Sequence, residues 1–241
     1  MVEDQQNPAT SGTPGRRQFV KYSFFKVVRE WRLRPEAERS EEREEFAGVV
    51  EEVGREMLLR SYSLVGLRGD VDFMLWQASE GLEALQESMR RLLGTRLGRY
   101  LEQPYSLLAM TRRSMYVGKH RHEGQEGGRT VVRPIGARYL FVYPFVKTRP
   151  WYRLAKGDRQ GMMDEHIAIG HKYPSVKINT AYSYGLDDQE FVVAFETDSP
   201  ADFLDLVMEL RESEASLYTL RDTPTFTCVL TSPGEMLEGL G

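Results

Sequence analysis

Cysteine is nearly absent from this chain of 241 residues, with Cys228 its single example. That excludes a disulfide framework and any multi-cysteine metal site. The setting of Cys228, "TFTCVL", alternates like a strand and points to a buried, inert thiol rather than a nucleophile. No apolar run approaches the ~18 residues that a membrane span needs. The N-terminus lacks the charged-then-apolar pattern of a secretory signal, so a cytoplasmic location is expected. A surplus of positive charge is also missing: 32 basic against 36 acidic residues leave a net charge of −4 and no global reason to bind nucleic acid. No glycine-rich phosphate loop, G-x-S-x-G elbow or paired catalytic carboxylate motif occurs. With 41% hydrophobic and 28% charged residues, the remainder reads as an ordinary globular protein.

Residues 1–17 are polar and rich in Pro, Gly, Ser and Thr, and read as a disordered tail. Residues 116–137 are rich in Gly and charge without a supporting period, and read as a linker loop. The flanking halves, 18–115 and 138–232, resemble each other, and 233–241 is left as a second tail. "YSFFKVVREWRL" parallels "YPFVKTRPWYRL", and "EQPYSLLAM" parallels "RDTPTFTCVL". Phe25 to Phe145, Trp31 to Trp151 and Pro104 to Pro224 are each 120 positions apart, and Phe73 to Phe191 is 118. One supersecondary unit is used twice. Each copy reads strand, helix, two strands joined by a hairpin signal ("LRGD", "GLDDQ"), helix, strand. This β-α-β-β-α-β order is ferredoxin-like, and two tandem copies make an α+β protein with two sheets, each needing its open face covered.

Two of the four histidines lie in "DEHIAIGHKYP". His166 and His171, five apart on a helix, diverge by about 140° around its axis and cannot share a metal. His166 lies on a stripe with Met162, Ile169 and Gly170, a pattern that suits both a core histidine and a ligand. Gly170, one turn away, would leave room for a flat group. His171 falls where the helix should end, a common place for a cation. The other pair, His120 and His122 in "GKHRHEG", lacks further ligands and reads as a flexible basic loop. The acidic run "ERSEEREEF" reads as a solvated helix face. In "RYLFVYPFVK", alternation puts Tyr143, Phe145 and Lys147 on one strand face. That is either an amphipathic edge or a site offering a phenol and an ammonium to one ligand.

Taken together, "YPFVKTRPWYRL", "MMDEHIAIGHKY", "SYGLDDQEFVVAFETD" and "ELRESEAS" resemble the chlorite dismutase-like haem protein family, and within it the coproheme decarboxylases. The resemblance implies two ferredoxin-like repeats of the dimeric α/β-barrel type, a ring-shaped homopentamer, and haem in the C-terminal repeat. By the family's "D/E-H-x-x-x-G" helix, His166 is the iron ligand; His171 stands where many members have arginine. Tyr143 matches the redox-active tyrosine of "YP-x-x-K", and Lys147 its assisting lysine. Arg211 and Ser216 match propionate-binding positions, as does Arg129, with Arg133 competing for that role. Trp151 matches a family aromatic near the proximal helix. Counting thirteen residues from His166 puts Asn179 where chlorite dismutases carry a distal arginine, a departure that argues against chlorite dismutation. His120, His122 and Glu126 fall near, but not on, the place of a distal histidine used by one branch.

The resemblance therefore implies peroxide-dependent decarboxylation of two propionates of iron-coproporphyrin III (coproheme) to vinyls, giving haem b in haem biosynthesis. It implies coproheme and hydrogen peroxide as small-molecule partners, no nucleic acid, no membrane span, and transient contact with other haem-synthesis enzymes. A haem peroxidase or chlorite dismutase-like enzyme and a non-catalytic haem carrier or sensor are the alternatives.

Overall fold

The structure, a computed structural model, describes residues 17–116 and 130–241. Its first half runs β1 (Phe19–Val27), α1 (Arg29–Arg32), α2 (Glu36–Glu56), β2 (Leu58–Ser63), β3 (Phe73–Ser79), α3 (Leu82–Gly94) and β4 (Leu101–Met110). The second runs β5 (Tyr139–Lys147), α4 (Arg149–Arg153), α5 (Lys156–His171), β6 (Lys177–Tyr182), β7 (Phe191–Thr197) and α6 (Pro200–Glu212). It ends with a 3-10 turn (Glu214–Tyr218), β8 (Thr219–Arg221), β9 (Phe226–Leu230) and α7 (Pro233–Glu238). The expected β-α-β-β-α-β unit thus occurs twice, and α2 and α5 begin 120 positions apart, as the repeated aromatics do.

The two sheets do not stay separate. Their strands run β7-β6-β4-β1-β3-β2-β9-β5, and β5 pairs back with β7, closing an eight-stranded antiparallel barrel; β8 extends β5. The seams between repeats are β4 with β6 (Met110 opposite Tyr182) and β2 with β9 (Tyr62 opposite Leu230). Closure removes the free edges that two open sheets would expose. It also supplies the covered face: inward side chains of both repeats share one interior, including Tyr22, Phe24, Tyr62, Trp76, Val142, Val192, Phe226 and Cys228. Phe24 stacks on Phe226 across the repeats, with ring centroids 3.9 Å apart. Cys228 is fully buried there, and desolvation pushes its thiol well above the usual range.

Outward strand residues of the first repeat pack under α2 and α3, in a cluster containing Phe25, Trp31, Phe46, Val50, Phe73 and Leu92. Met236, Leu237 and Leu240 complete it, which corrects the expectation that 233–241 is a tail. Ser232 and Glu235 form a capping box around Pro233 at the first turn, and the apolar residues behind them supply one buried face. Of the 116–137 linker, the described part from Thr130 onward is tied to the barrel. Val132 N–H donates to Gln18 Oε1 (2.8 Å), and the Ile135 and Gly136 amides donate to the buried Glu196 carboxylate (3.1 Å each). Among the described residues no helix is long and apolar enough to cross a membrane.

Candidate functional site

The 120-residue offset allows the two outer layers to be compared position by position. Phe46 of α2 corresponds to His166 of α5, and Val50 to Gly170. In the first repeat Phe46 and Val50 are 0% and 1% exposed and fill the space between helix and sheet. In the second, a Cβ built on Gly170 would meet no atom within 4 Å, and His166 and Ile169 are only half-buried. The sheet opposite shows the same contrast. Phe25 and Phe73 are fully buried, whereas their counterparts Phe145 and Phe191 are half-buried, as is Tyr143. α5 packs chiefly on α6 and the Glu214–Tyr218 turn, with Ile169 reaching the strand cluster of Phe141, Val193 and Phe195. The second repeat therefore contains an apolar cleft where the first contains a core, and an imidazole sits on its helical wall.

His166 lies near the charge of Lys147. The Lys147 ammonium donates to the Ala215 carbonyl (2.7 Å) and sits 4.6 Å from the centroid of the buried Trp151 ring. Burial pulls the lysine pKa down to about 8, against the raising effect of Glu190. The His166 pKa is drawn down to about 4 by desolvation first and Lys147 second, against Glu165. The imidazole is therefore neutral at pH 7 with a nitrogen lone pair available, the state a metal ligand needs. Among the described residues no group of three or more His, Cys, Asp or Glu could hold a metal ion. A metal at His166 must bring most of its own ligands with it.

Tyr143 occupies the strand wall. It stacks on Phe195 (centroids 5.9 Å apart), and burial raises its pKa, so the phenol keeps its proton. Its charged neighbours are Asp222 and Arg211, which form an ion pair. Arg211 lies in the last turn of α6, and its carbonyl accepts from Ser216 Oγ (2.7 Å), so these two residues are adjacent at the cleft's rim. Tyr143 and Lys147 share the strand face but are four residues apart, about 13 Å along an extended chain. Tyr143 thus stands by Arg211, while Lys147 stands by His166. A ligand meeting all four must itself be large and flat.

Asn179 is elsewhere. In the β6–β7 register it lies opposite Ala194, on the barrel-interior face, and its amide donates to the buried Glu196 carboxylate (3.0 Å). The expectation of a distal amide at Asn179 is corrected: strand alternation turns it away from Tyr143 and His166. Ile178 and Thr180, opposite Phe195 and Val193, face the cleft instead. Arg133 is exposed on the segment anchored to Gln18 and Glu196, and no described contact joins it to the cleft cluster. Arg129, His120, His122 and Glu126 lie outside the described residues. His171 is exposed at the end of α5. The sequence reading missed Glu190, which accepts from the Lys147 amide (2.8 Å) and from the Tyr152 hydroxyl, and Asp222. Both lie in segments already singled out, "SYGLDDQEFVVAFETD" and "RDTPTFTCVL", but only the fold brings their carboxylates to the site.

Comparison with known proteins gives the family. The chlorite dismutase family model matches residues 39–231. The chain belongs to the chlorite dismutase family. Among curated family members, it is 34% identical over 172 residues to the coproheme decarboxylase of Mycolicibacterium smegmatis, covering 69% of this chain and 70% of that one. It is 25% identical over 206 residues to the chlorite dismutase of Ideonella dechloratans, covering 84% and 72%. A mutant chlorite dismutase from Candidatus Nitrospira defluvii superposes with a TM-score of 0.83 at 28% identity, over 92% of this chain and 95% of that one.

Proposed function

We propose that the cleft between α5 and β5–β7 binds an iron porphyrin that His166 would hold through its iron, and that the protein is a coproheme decarboxylase. The carrying observation is the unfilled space at His166 and Gly170, where the equivalent Phe46 and Val50 of the first repeat are packed solid. A neutral imidazole on one wall and a flat apolar sheet on the other suit a macrocycle that carries its own metal ligands. The 34% identity to a coproheme decarboxylase favours coproheme over haem as the molecule acted upon.

When bound, the porphyrin iron supplies the redox chemistry by which peroxide is consumed. His166 would hold the iron, its imidazole kept unprotonated by desolvation first and by the nearby Lys147 charge second. Tyr143, a phenol that burial keeps protonated, loses and regains a hydrogen atom rather than an isolated proton. It takes that atom from the methylene next to the ring. The propionate carbon–carbon bond to the carboxylate then breaks, carbon dioxide leaves and a vinyl remains. Each propionate gives up two electrons, and one peroxide with added protons accepts them and leaves as two waters. Arg211 binds a ligand carboxylate at the rim through its N–H donors, and Ser216 adds its O–H by turning from the Arg211 carbonyl to the ligand. On the strand wall, Ile178, Thr180 and Val193 carry no charge to hold an oxyanion such as chlorite, so decarboxylation is the better reading.

Anaerobic loading with coproheme followed by peroxide titration tests this. Mass spectrometry should show first one and then two losses of the decarboxylation mass. Tyr143→Phe should leave porphyrin affinity unchanged and abolish decarboxylation, because phenylalanine has no O–H hydrogen atom to lose and regain. Unaltered turnover in Tyr143→Phe, or no decarboxylated porphyrin from the wild type, would sink the assignment.

A further inference from the structure

The Arg211–Asp222 ion pair sets a condition on ligand binding that the proposed reaction alone does not contain. Arg211 ends α6 and its side chain is 60% exposed, whereas Asp222, just after β8, is 18% exposed. β8 is hydrogen-bonded to β5 at Val146 and Lys147, so Asp222 directly follows a strand that is tied to the cleft wall. The arginine can swing; the aspartate is held. An incoming ligand carboxylate and Asp222 would compete for one guanidinium fork, and two carboxylates brought together without a second cation repel each other.

We propose that Asp222 is a positioning residue that acts through Arg211: it occupies the guanidinium when no ligand carboxylate is present, so binding at this rim is an exchange of one carboxylate for another. The inference rests on the porphyrin reading given above. It makes affinity at Arg211 depend on a carboxylate that survives on the ligand. A ligand that loses the contacting carboxylate surrenders Arg211 to Asp222, which assists departure of that edge. Both charges also lie in the field of Tyr143, Asp222 raising its pKa and Arg211 lowering it, which places the exchange next to the phenol.

The test is a double-mutant cycle on full-length protein, read as the dissociation constant of ferric coproporphyrin III by quenching of tryptophan fluorescence. Asp222→Asn removes the competing charge with little change of shape. It should tighten binding by about two- to fivefold, the range expected for a partly exposed ion pair. Arg211→Gln should weaken binding, and the gain from Asp222→Asn should vanish in the Arg211→Gln background, because the aspartate acts only through the arginine. Asp222→Ser serves as a second uncharged variant, and circular dichroism with the thermal midpoint shows that each protein is folded. Unchanged or weaker binding in both folded Asp222 variants, or a gain that persists without Arg211, would overturn the inference while leaving the porphyrin reading intact. Failure of the wild type to bind ferric coproporphyrin III would overturn both.

Discussion

The contrast between the two repeats can be reversed by mutation. Changing His166→Phe and Gly170→Val writes the first repeat's filling into the second, at positions where α2 carries Phe46 and Val50. Full burial of a Phe or Val side chain contributes about 1.5–3 kcal/mol each. His166 already fills part of its space, and α5 stands off the sheet, so about half of that sum, roughly 1.5–3 kcal/mol, is expected. Gly170 offers room for the new Cβ, with no atom within 4 Å. For a chain of this size a kilocalorie moves the midpoint by about 2–4 °C, giving a rise of roughly 3–12 °C. Calorimetry of the ligand-free double variant measures this, and titration with ferric coproporphyrin III should show binding lost. Stability would rise as function disappears, the trade expected of a site kept open against the packing rules. A lower midpoint with intact secondary structure, or binding at wild-type affinity, would refute the idea that these two positions hold the cleft open.

Asn179→Ala removes a hydrogen bond to the buried Glu196 carboxylate. It should cost about 1–3 kcal/mol in denaturant unfolding while changing porphyrin affinity less than twofold; a loss of affinity at unchanged stability would restore Asn179 to the cleft. Glu196 is buried inside the barrel, and desolvation raises its pKa against the hydrogen bonds of Ile135, Gly136 and Asn179. Between the ordinary and the raised value the native state binds more protons than the unfolded one. Its contribution is therefore complete below about pH 4.5 and lost as pH rises through the folded pKa, by at most about 1.4 kcal/mol per unit. Glu196→Gln should flatten that part of the stability–pH profile, and an unchanged slope would contradict the burial argument.

The repeated unit was legible because its aromatics recur at one spacing, and Tyr143, Phe145 and Lys147 could be put on one face by counting in twos. Barrel closure was implied by the family resemblance but not by the residue patterns themselves, since the seams join Met110 to Tyr182 and Tyr62 to Leu230, pairs far apart in sequence with no local signal. Asn179 shows how a count along the chain fails. Its distance from His166 crosses the end of α5 and a loop, and a one-residue difference in strand register turns a side chain to the opposite face. The face is set by Ala194 across the ladder, which counting from His166 ignores. α7 was overlooked although Ser232-Pro233 and Glu235 form a helix-start signal of the same kind as Ser199-Pro200 at the start of α6. The cleft itself was half visible: Gly170 suggested room beside His166, but only the alignment of α2 with α5 shows Phe46 and Val50 as the side chains whose absence makes it.

The central claim is that His166 provides the axial bond to iron in this cleft. Electron paramagnetic resonance and resonance Raman spectra of the ferric and ferrous coproporphyrin complexes, taken for wild type and His166→Gly, test it most directly. The account predicts a histidine–iron signature in the wild type that is lost in His166→Gly and returns when free imidazole is added. The same histidine signature in His166→Gly without imidazole would contradict it.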